Sequence, residues 1–185
     1  MQIRLASPAD AAAVLAIYAP YCSTPITFEL EPPTLADMEQ RLRETLISYP
    51  WLLAVEGDQV LGYAYGHAFR ERAAYRWAVE TSVYVAQDAH QKGVGSALYE
   101  RLLTMLKAQG FVAAMAGATL PNPGSVRLHE RFGFQDVGIW KNIGYKCGAW
   151  HDVGFFQLEL NQPVSTPSEP LGLAAVAGMV SKQAE

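Results

Sequence analysis

Val83-Tyr84-Val85, a short polar gap, and then His90-Gln91-Lys92-Gly93-Val94-Gly95-Ser96 form the stretch that decides the fold. Strand formers run into a Gly-x-Gly turn, and an apolar-periodic segment opens directly after it. Glycines let the backbone approach a ligand closely. The N–H groups of a first helical turn, together with the helix dipole, attract a pyrophosphate. A plain strand-to-helix turn would leave the same pattern, so support has to come from elsewhere in the chain. Two other phosphate loops are excluded: there is no GxxxxGK[ST] for a nucleoside triphosphate, and no third glycine with a downstream ribose-binding acid for a dinucleotide.

Reading outward, Val94, Leu98, Leu102 and Met105 give the helix after the turn an apolar inner face, and Gly110 closes it. Phe111 to Ala118 reads as a buried strand, and Asn122-Pro123 caps a short helix carrying Leu128 and Phe132. Upstream, Ala78 to Val85 is a strand, preceded by a hairpin of residues 51–56 and 60–68 around Gly57-Asp58. Ile3 to Ala6 is a short strand, and Ser7-Pro8-Ala9-Asp10 starts a helix whose buried stripe is Val14, Ile17, Tyr18 and Tyr21. Cys22 to Pro33 is loop. Thr34 and Asp37 cap a second helix with the stripe Leu35, Met38, Leu42 and Leu46. A last strand pair is expected at Val137 to Trp140 and Asp152 to Leu160. The order β, α, α, β, β, β, α, β, α, β, β predicts one mixed α/β domain over residues 1–161. Pro163, Pro167 and Pro170 then predict a tail, residues 162–185, outside the core. Within it Leu171 to Val180 is apolar enough for a docked helix, against which Gly172 and Gly178 weigh.

The chain has 185 residues and a net charge of −4, with no basic run, which argues against a nucleic-acid partner. No apolar run reaches the length of a membrane span and the first residues lack a signal-peptide core, so the expected compartment is the cytoplasm. Cys22 and Cys147 have no framework spacing, and His67, His90, His129 and His151 have no ligand spacing, so neither disulfide nor metal is expected. Arg70, Arg72 and Arg76 form a local basic cluster on this acidic background.

The turn at residues 90–95 resembles the [QR]xxGx[GA] pyrophosphate turn of the GNAT acetyltransferases, with His90 in the first position. Asn122, Ser125, Leu128, His129 and Arg131-Phe132-Gly133-Phe134 are similar to that superfamily's NxxSxxLYxxxGF element, with histidine where tyrosine is commoner. Further runs resemble the phosphinothricin and methionine-sulfoximine N-acetyltransferases. They are Tyr49-Pro50-Trp51-Leu52, Glu80-Thr81-Ser82-Val83-Tyr84-Val85, Pro121-Asn122, Arg127-Leu128-His129-Glu130, Gly144-Tyr145-Lys146 and Trp150-His151-Asp152-Val153-Gly154-Phe155. The resemblance spans residues 2–160. It implies the GNAT fold: a central twisted mixed sheet of six to seven strands flanked by about four helices and splayed at the coenzyme A site. It also implies acetyl-CoA as co-substrate and a homodimer in which Lys141 to His151 lie near the active sites. Trp140, Tyr145 and Trp150 suit such an interface, and would equally suit a cover within one chain.

Acetyl transfer to an amine needs a base to free the nitrogen lone pair. Glu80 is the candidate, a charge within a strand of Val, Ser, Thr and Tyr, where charges are costly unless paired or useful. The resemblance assigns it that role, directly or through water. It also assigns the Val83 N–H to the oxyanion, the backbone of Val83, Tyr84 and Val85 to the pantetheine arm, and Gln91, Lys92, Gly93, Val94, Gly95 and Ser96 to the diphosphate. Asn122, otherwise a helix cap, and Ser125 join the coenzyme site on the same ground. His129 takes a support role: orienting Glu80 or a water, or protonating the thiolate. Arg70 and Arg72 suit an anionic acceptor, since guanidinium forks match its oxygens. Phe28 and Tyr75 are candidate walls of the amine pocket, and Thr81 and Ser82 complete it. The implied acceptor is the α-amino group of a small amino-acid analogue of the phosphinothricin, methionine sulfoximine or methionine sulfone type. Another small amine or a peptide N-terminus, or a non-catalytic acyl-CoA-binding module, are the alternatives.

Overall fold

Seven strands build one open sheet in the computed structural model, which describes residues 1–179. They are β1 (Gln2–Leu5), β2 (Trp51–Glu56), β3 (Gln59–Ala68), β4 (Ala78–Val85), β5 (Ala113–Leu120), β6 (Gln135–Lys146) and β7 (Ala149–Glu159). The helices are α1 (Ala11–Tyr18), α2 (Leu35–Ser48), α3 (Val94–Gln109) and α4 (Pro123–Arg131). The spatial order is β1-β2-β3-β4-β5-β7-β6. Only β4 and β5 run parallel, and a parallel pair needs a crossover, which α3 supplies.

Each helix forms where local chemistry permits it. Gly93 adopts φ 79° at the start of α3 and Gly110 φ 93° at its end, left-handed conformations that favour glycine. The Gly110 N–H then donates to the carbonyls of Leu106 and Lys107. For α2, Thr34 Oγ1 accepts from the Asp37 N–H at 3.2 Å, and the Asp37 carboxylate accepts from the Thr34 N–H at 3.1 Å. This capping box satisfies two N–H groups at once. Asp10 plays the same part for Ser7 and is also gripped by Arg4, so the first turn is 3₁₀ over Pro8–Asp10 and α1 proper begins at Ala11.

The sheet separates two cores. Val94, Leu98, Leu102 and Met105 of α3 are buried on one face, against Leu52, Ala64, Val79 and Ala114. On the other face Val14, Ile17, Tyr18 and Tyr21 meet Met38, Leu42, Trp51 and Tyr63. Each fully buried aliphatic side chain contributes roughly 1.5–3 kcal/mol by exclusion from water. Among the described residues, no helix is long and apolar enough to cross a membrane.

Three expectations need correction. The last hairpin is far longer than Val137 to Trp140 with Asp152 to Leu160, because register shifts at Asp136/Gly138 and Trp140/Gly144 break the alternation by which strands are recognised. Leu35 is exposed: it is the first residue of α2, and side chains lean toward a helix N-terminus, here past the edge of the core. The tail is not wholly outside the core, since Leu173 and Val176 are buried in the α3 cluster. Short 3₁₀ turns at Leu173–Ala175 and Ala177–Met179 replace the single helix, consistent with Gly172 and Gly178. Gln109 Nε2 donates to the carbonyls of Ser48 and Leu171, and Trp77 Nε1 donates to the Ser168 carbonyl. Val180 and the residues after it lie outside the described residues.

If these contacts hold the tail, Leu173→Ala will lower unfolding free energy by roughly 2–4 kcal/mol, as a buried leucine truncation does. Urea denaturation measures this, and a loss under about 0.5 kcal/mol, the range of ordinary surface substitutions, would mean the segment is not docked.

Candidate active site

The pairing of β4 with β5 stops early. It covers Ala78↔Ala113, Val79↔Ala114 and Glu80↔Met115, after which the two strands part. The gap continues into a cleft of ≈ 340 Å³ between β4, the start of α3, β5 and α4. Its lining includes Thr81 to Val85, His90, Gln91, Gly93 to Ser96, Asn122, Ser125 and His129. The sequence analysis picked out most of these residues. Lys92 is exposed on the turn and does not line the cleft.

Backbone groups face this space for reasons local to the chain. The first hydrogen bond into the helix is Ala97 N–H to Gly93 O, which leaves the amides of Val94, Gly95 and Ser96 without an intrahelical acceptor. A Cβ on Gly95 would meet only ordinary contacts, with Leu128 at 3.7 Å, so nothing within the fold demands glycine there. Close approach of a ligand to the backbone would. On β4, the Ala86 N–H donates to the Leu61 carbonyl of the β3 side. Strand alternation then turns the N–H of Val83 away from β3, toward the gap.

A buried polar chain forms the floor. Thr81 Oγ1 lies 3.1 Å from Tyr99 Oη, Tyr99 Oη 3.0 Å from His129 Nε2, and His129 Nδ1 3.3 Å from Ser125 Oγ. One set of proton positions satisfies every member: Ser125 donates to Nδ1, Nε2 to Tyr99, Tyr99 to Thr81, and Thr81 to the Met115 carbonyl at 3.2 Å. The His129 ring stacks on Phe156 at 5.2 Å, and burial pushes its pKa down from 6.5 to about 4, so the imidazole is neutral at pH 7. Its ring partners are Tyr99 and Ser125, not Glu80. Burial likewise pushes the Tyr99 hydroxyl up, which keeps it protonated.

Glu80 does not line the cleft. It sits at the last position of β4 that pairs with β5, on the opposite sheet face from Thr81, half-buried, with no hydrogen bond or ion pair to its carboxylate among the described residues. The gap between β4 and β5 therefore has a carboxylate at its closed end on one face and the cleft on the other. Arg70, Arg72 and Tyr75 come together in a separate pocket on the β3–β4 connection, with Ala68, Phe69 and Glu71. Ala68 pairs with Val79, one residue from Glu80, so this pocket borders the same strand end. Arg76, the third member of the basic cluster, is paired with Glu169 of the tail. Phe28 lies apart from the cleft, although Ile26 on the same connection lines it. Among the described residues no group of three or more His, Cys, Asp or Glu is gathered to hold a metal ion.

Sequence reasoning missed Tyr99, Tyr21 and Ile26. Tyr99 had a signal: a tyrosine on the apolar face of a helix buries a hydroxyl that needs a partner. Tyr21 Oη donates to the Val85 carbonyl at 2.5 Å and lies 3.0 Å from His90 Nε2, ties across 64 and 69 residues that have no sequence pattern.

Helix-terminal amides without an intrahelical acceptor thus face a splayed parallel strand pair with a carboxylate at its fork, an arrangement that can hold an anionic group beside a proton-accepting side chain. Comparison with known proteins places the chain: residues 3–154 match the acetyltransferase (GNAT) domain model, and the chain belongs to the GNAT acetyltransferase family. It is 41% identical over 172 residues to the phosphinothricin N-acetyltransferase of Streptomyces viridochromogenes, covering 92% of this chain and 93% of that one. It is 36% identical over 171 residues to the L-methionine sulfoximine/L-methionine sulfone acetyltransferase of Pseudomonas aeruginosa, covering 89% and 98%. A GNAT superfamily phosphinothricin acetyltransferase from Sinorhizobium meliloti, solved in complex with AcCoA, superposes with a TM-score of 0.87 at 36% identity over 92% of this chain and 94% of that one.

Because His129 is held neutral, its folded pKa of about 4 lies below the unfolded 6.5, and the unfolded chain takes up the proton first. Stability is therefore full above pH 6.5 and falls as the pH drops toward 4. Asp10, lowered by the Arg4 hydrogen bond from 3.8 to about 2, loses its contribution only in the lower window between those values. A urea series from pH 7.5 to 4.5 should show the first decline, and His129→Phe should flatten it. An unchanged slope in that variant would show that another group titrates.

Proposed function

We propose that the protein transfers an acetyl group from acetyl-CoA to the α-amino group of a small amino-acid analogue of the phosphinothricin, methionine sulfoximine or methionine sulfone type. The observation that carries this reading is the fork after Glu80↔Met115, which joins a row of unpaired backbone donors to a half-buried carboxylate without a partner. The amides of Val94, Gly95 and Ser96 suit the diphosphate of the coenzyme, and the gap-facing N–H groups of Val83 and Val85 suit its amide-bearing arm, the Val85 carbonyl being taken by Tyr21. Asn122 and Ser125 line the same space. Relatives at 41% and 36% identity named for such acceptors support the substrate class.

In this reading Glu80 takes a proton from the acceptor ammonium, directly or through water, and the freed lone pair attacks the thioester carbonyl. The Val83 N–H stabilises the oxyanion; loss of one such donor typically costs ~10²–10³ in rate. Collapse breaks the C–S bond, and the proton still on nitrogen passes to the departing sulfur. His129, neutral and hydrogen-bonded to Ser125, supports the leaving thiolate as part of a polar surface rather than as a cationic acid. Arg70 and Arg72 have no carboxylate partner among the described residues, so their guanidinium groups are available to the acceptor's anionic end. Tyr75 stands beside them, Phe28 walls the amine side, and Ser82 follows Glu80 on the same face of β4, whereas Thr81 belongs to the floor of the cleft rather than to the amine pocket.

Glu80→Gln should lower kcat by ~10²–10⁴, the range of a general base, in a thiol-release assay with acetyl-CoA and phosphinothricin. Calorimetric acetyl-CoA affinity should stay within about twofold, because the variant leaves the coenzyme cleft untouched. Undiminished turnover by this variant removes the base assignment. Failure of acetyl-CoA to bind the wild type removes the whole reading.

The protein works, in the same reading, as a homodimer through the β6–β7 hairpin. Val137, Ile139, Trp140, Ile143, Tyr145 and Trp150 are each about half exposed there, a large apolar surface for a monomer to leave in water. Sedimentation should give the dimer mass for wild type and a shift toward monomer for Trp150→Asp. A monomeric wild type at assay concentration contradicts it.

A further inference from the structure

Lys146 is a buried lysine, 6% exposed, on the hairpin strand β6, and no carboxylate pairs with it among the described residues. Its Nζ donates instead to two backbone carbonyls, Thr27 O and Glu29 O, both at 2.6 Å. These carbonyls flank Phe28. A side chain that burial penalises has been placed where it can hold the carbonyls of the two residues on either side of one aromatic residue. The neighbouring contacts serve the same end. A Cβ built on Gly144 would overlap the Phe28 ring, so only glycine lets the ring lie flat against the hairpin at that point. The ring also lies 6.4 Å from His151, whose Nε2 bonds the Lys146 carbonyl at 2.9 Å. Cys147 Sγ meets the Ser23 carbonyl at 3.6 Å.

The connection held in this way, residues 24–34, has no ladder of its own. It nevertheless borders the reaction space, because Ile26 lines the coenzyme cleft. Thr27 is fixed from the other side by Tyr18 Oη at 2.7 Å, and Glu29 by Arg41. Removal of Nζ would leave two carbonyls without their donor and free the turn at Phe28, while the amides of Val94 to Ser96 and the edge of β4 stay as they are.

We infer that Lys146 is a positioning residue that sets acceptor specificity, by holding Phe28 in place as a wall of the acceptor site; this rests on the reading of Phe28 given above. It touches neither substrate nor coenzyme. The test is a double-mutant cycle of K146M and F28A, with steady-state KM determined separately for phosphinothricin and for acetyl-CoA. Each single variant should raise the acceptor KM by about 10-fold while the acetyl-CoA KM stays within about twofold. The double variant should be little worse than F28A alone, because both act through one ring. Gly144→Ala, which displaces the ring and leaves Nζ intact, should reproduce the K146M pattern and serves if K146M does not fold. An unchanged acceptor KM in K146M, alongside a raised one in F28A, overturns the role of Lys146 only. An unchanged acceptor KM in F28A removes Phe28 from the acceptor wall and overturns both. Multiplicative effects in the double variant show that Lys146 acts by another route.

Discussion

The interruption of one β-ladder governs the rest of the molecule. Backbone N–H and C=O groups inside a protein must be paired, and a sheet normally does this by continuing to its neighbour. Here β4 and β5 part after three residue pairs, and the exposed edge is left to whatever enters between them. The fold tolerates this because α3 and α4 close over the gap without filling it. Thr81 also ties β4 to the Met115 carbonyl, across the point where the strands diverge.

A polar floor in such a place is costly unless every member is satisfied, since an unpaired buried group costs about 1–3 kcal/mol. The Thr81–Tyr99–His129–Ser125 chain meets that condition with neutral groups only. An imidazolium there would need a counter-charge; burial removes the charge instead. The contrast with Arg4 and Asp10 is instructive: near the surface a full ion pair persists, and the carboxyl is pulled down rather than neutralised.

What could be read from the sequence was what is local. The turn at Gly93 and Gly95, the stripe of α3 and the caps at Thr34 and Asn122 each depend on residues within one or two turns, and they stand where their patterns put them. The hairpin outruns its sequence pattern because Gly138 and Gly144 and the left-handed Asn142 interrupt alternation without ending the strand. The docking of Leu173 was hidden because proline-rich composition describes the local chain, whereas burial depends on a surface offered by α3. Within the site, the lining of the cleft was legible from motif residues. The partners of His129 were not, because they come from another helix and the identity of a residue does not reveal which neighbour its ring nitrogens will meet.

The two sides of the reaction space differ in how far along the chain their parts are recruited. The cleft beside β4 is built almost wholly from residues 81–129, a continuous piece of β4, α3, β5 and α4. The clasp on Phe28 joins residues 119 and 117 positions apart. Closing so long a loop costs more conformational entropy than forming local contacts, and that cost must be met before the clasp returns any energy. The clasp is consequently the part of the site that a modest perturbation loosens first, with the cleft beside it intact. Under the roles proposed for Phe28 and the cleft, sequence drift in the hairpin would retune which amine is accepted while the machinery for the thioester is inherited unchanged.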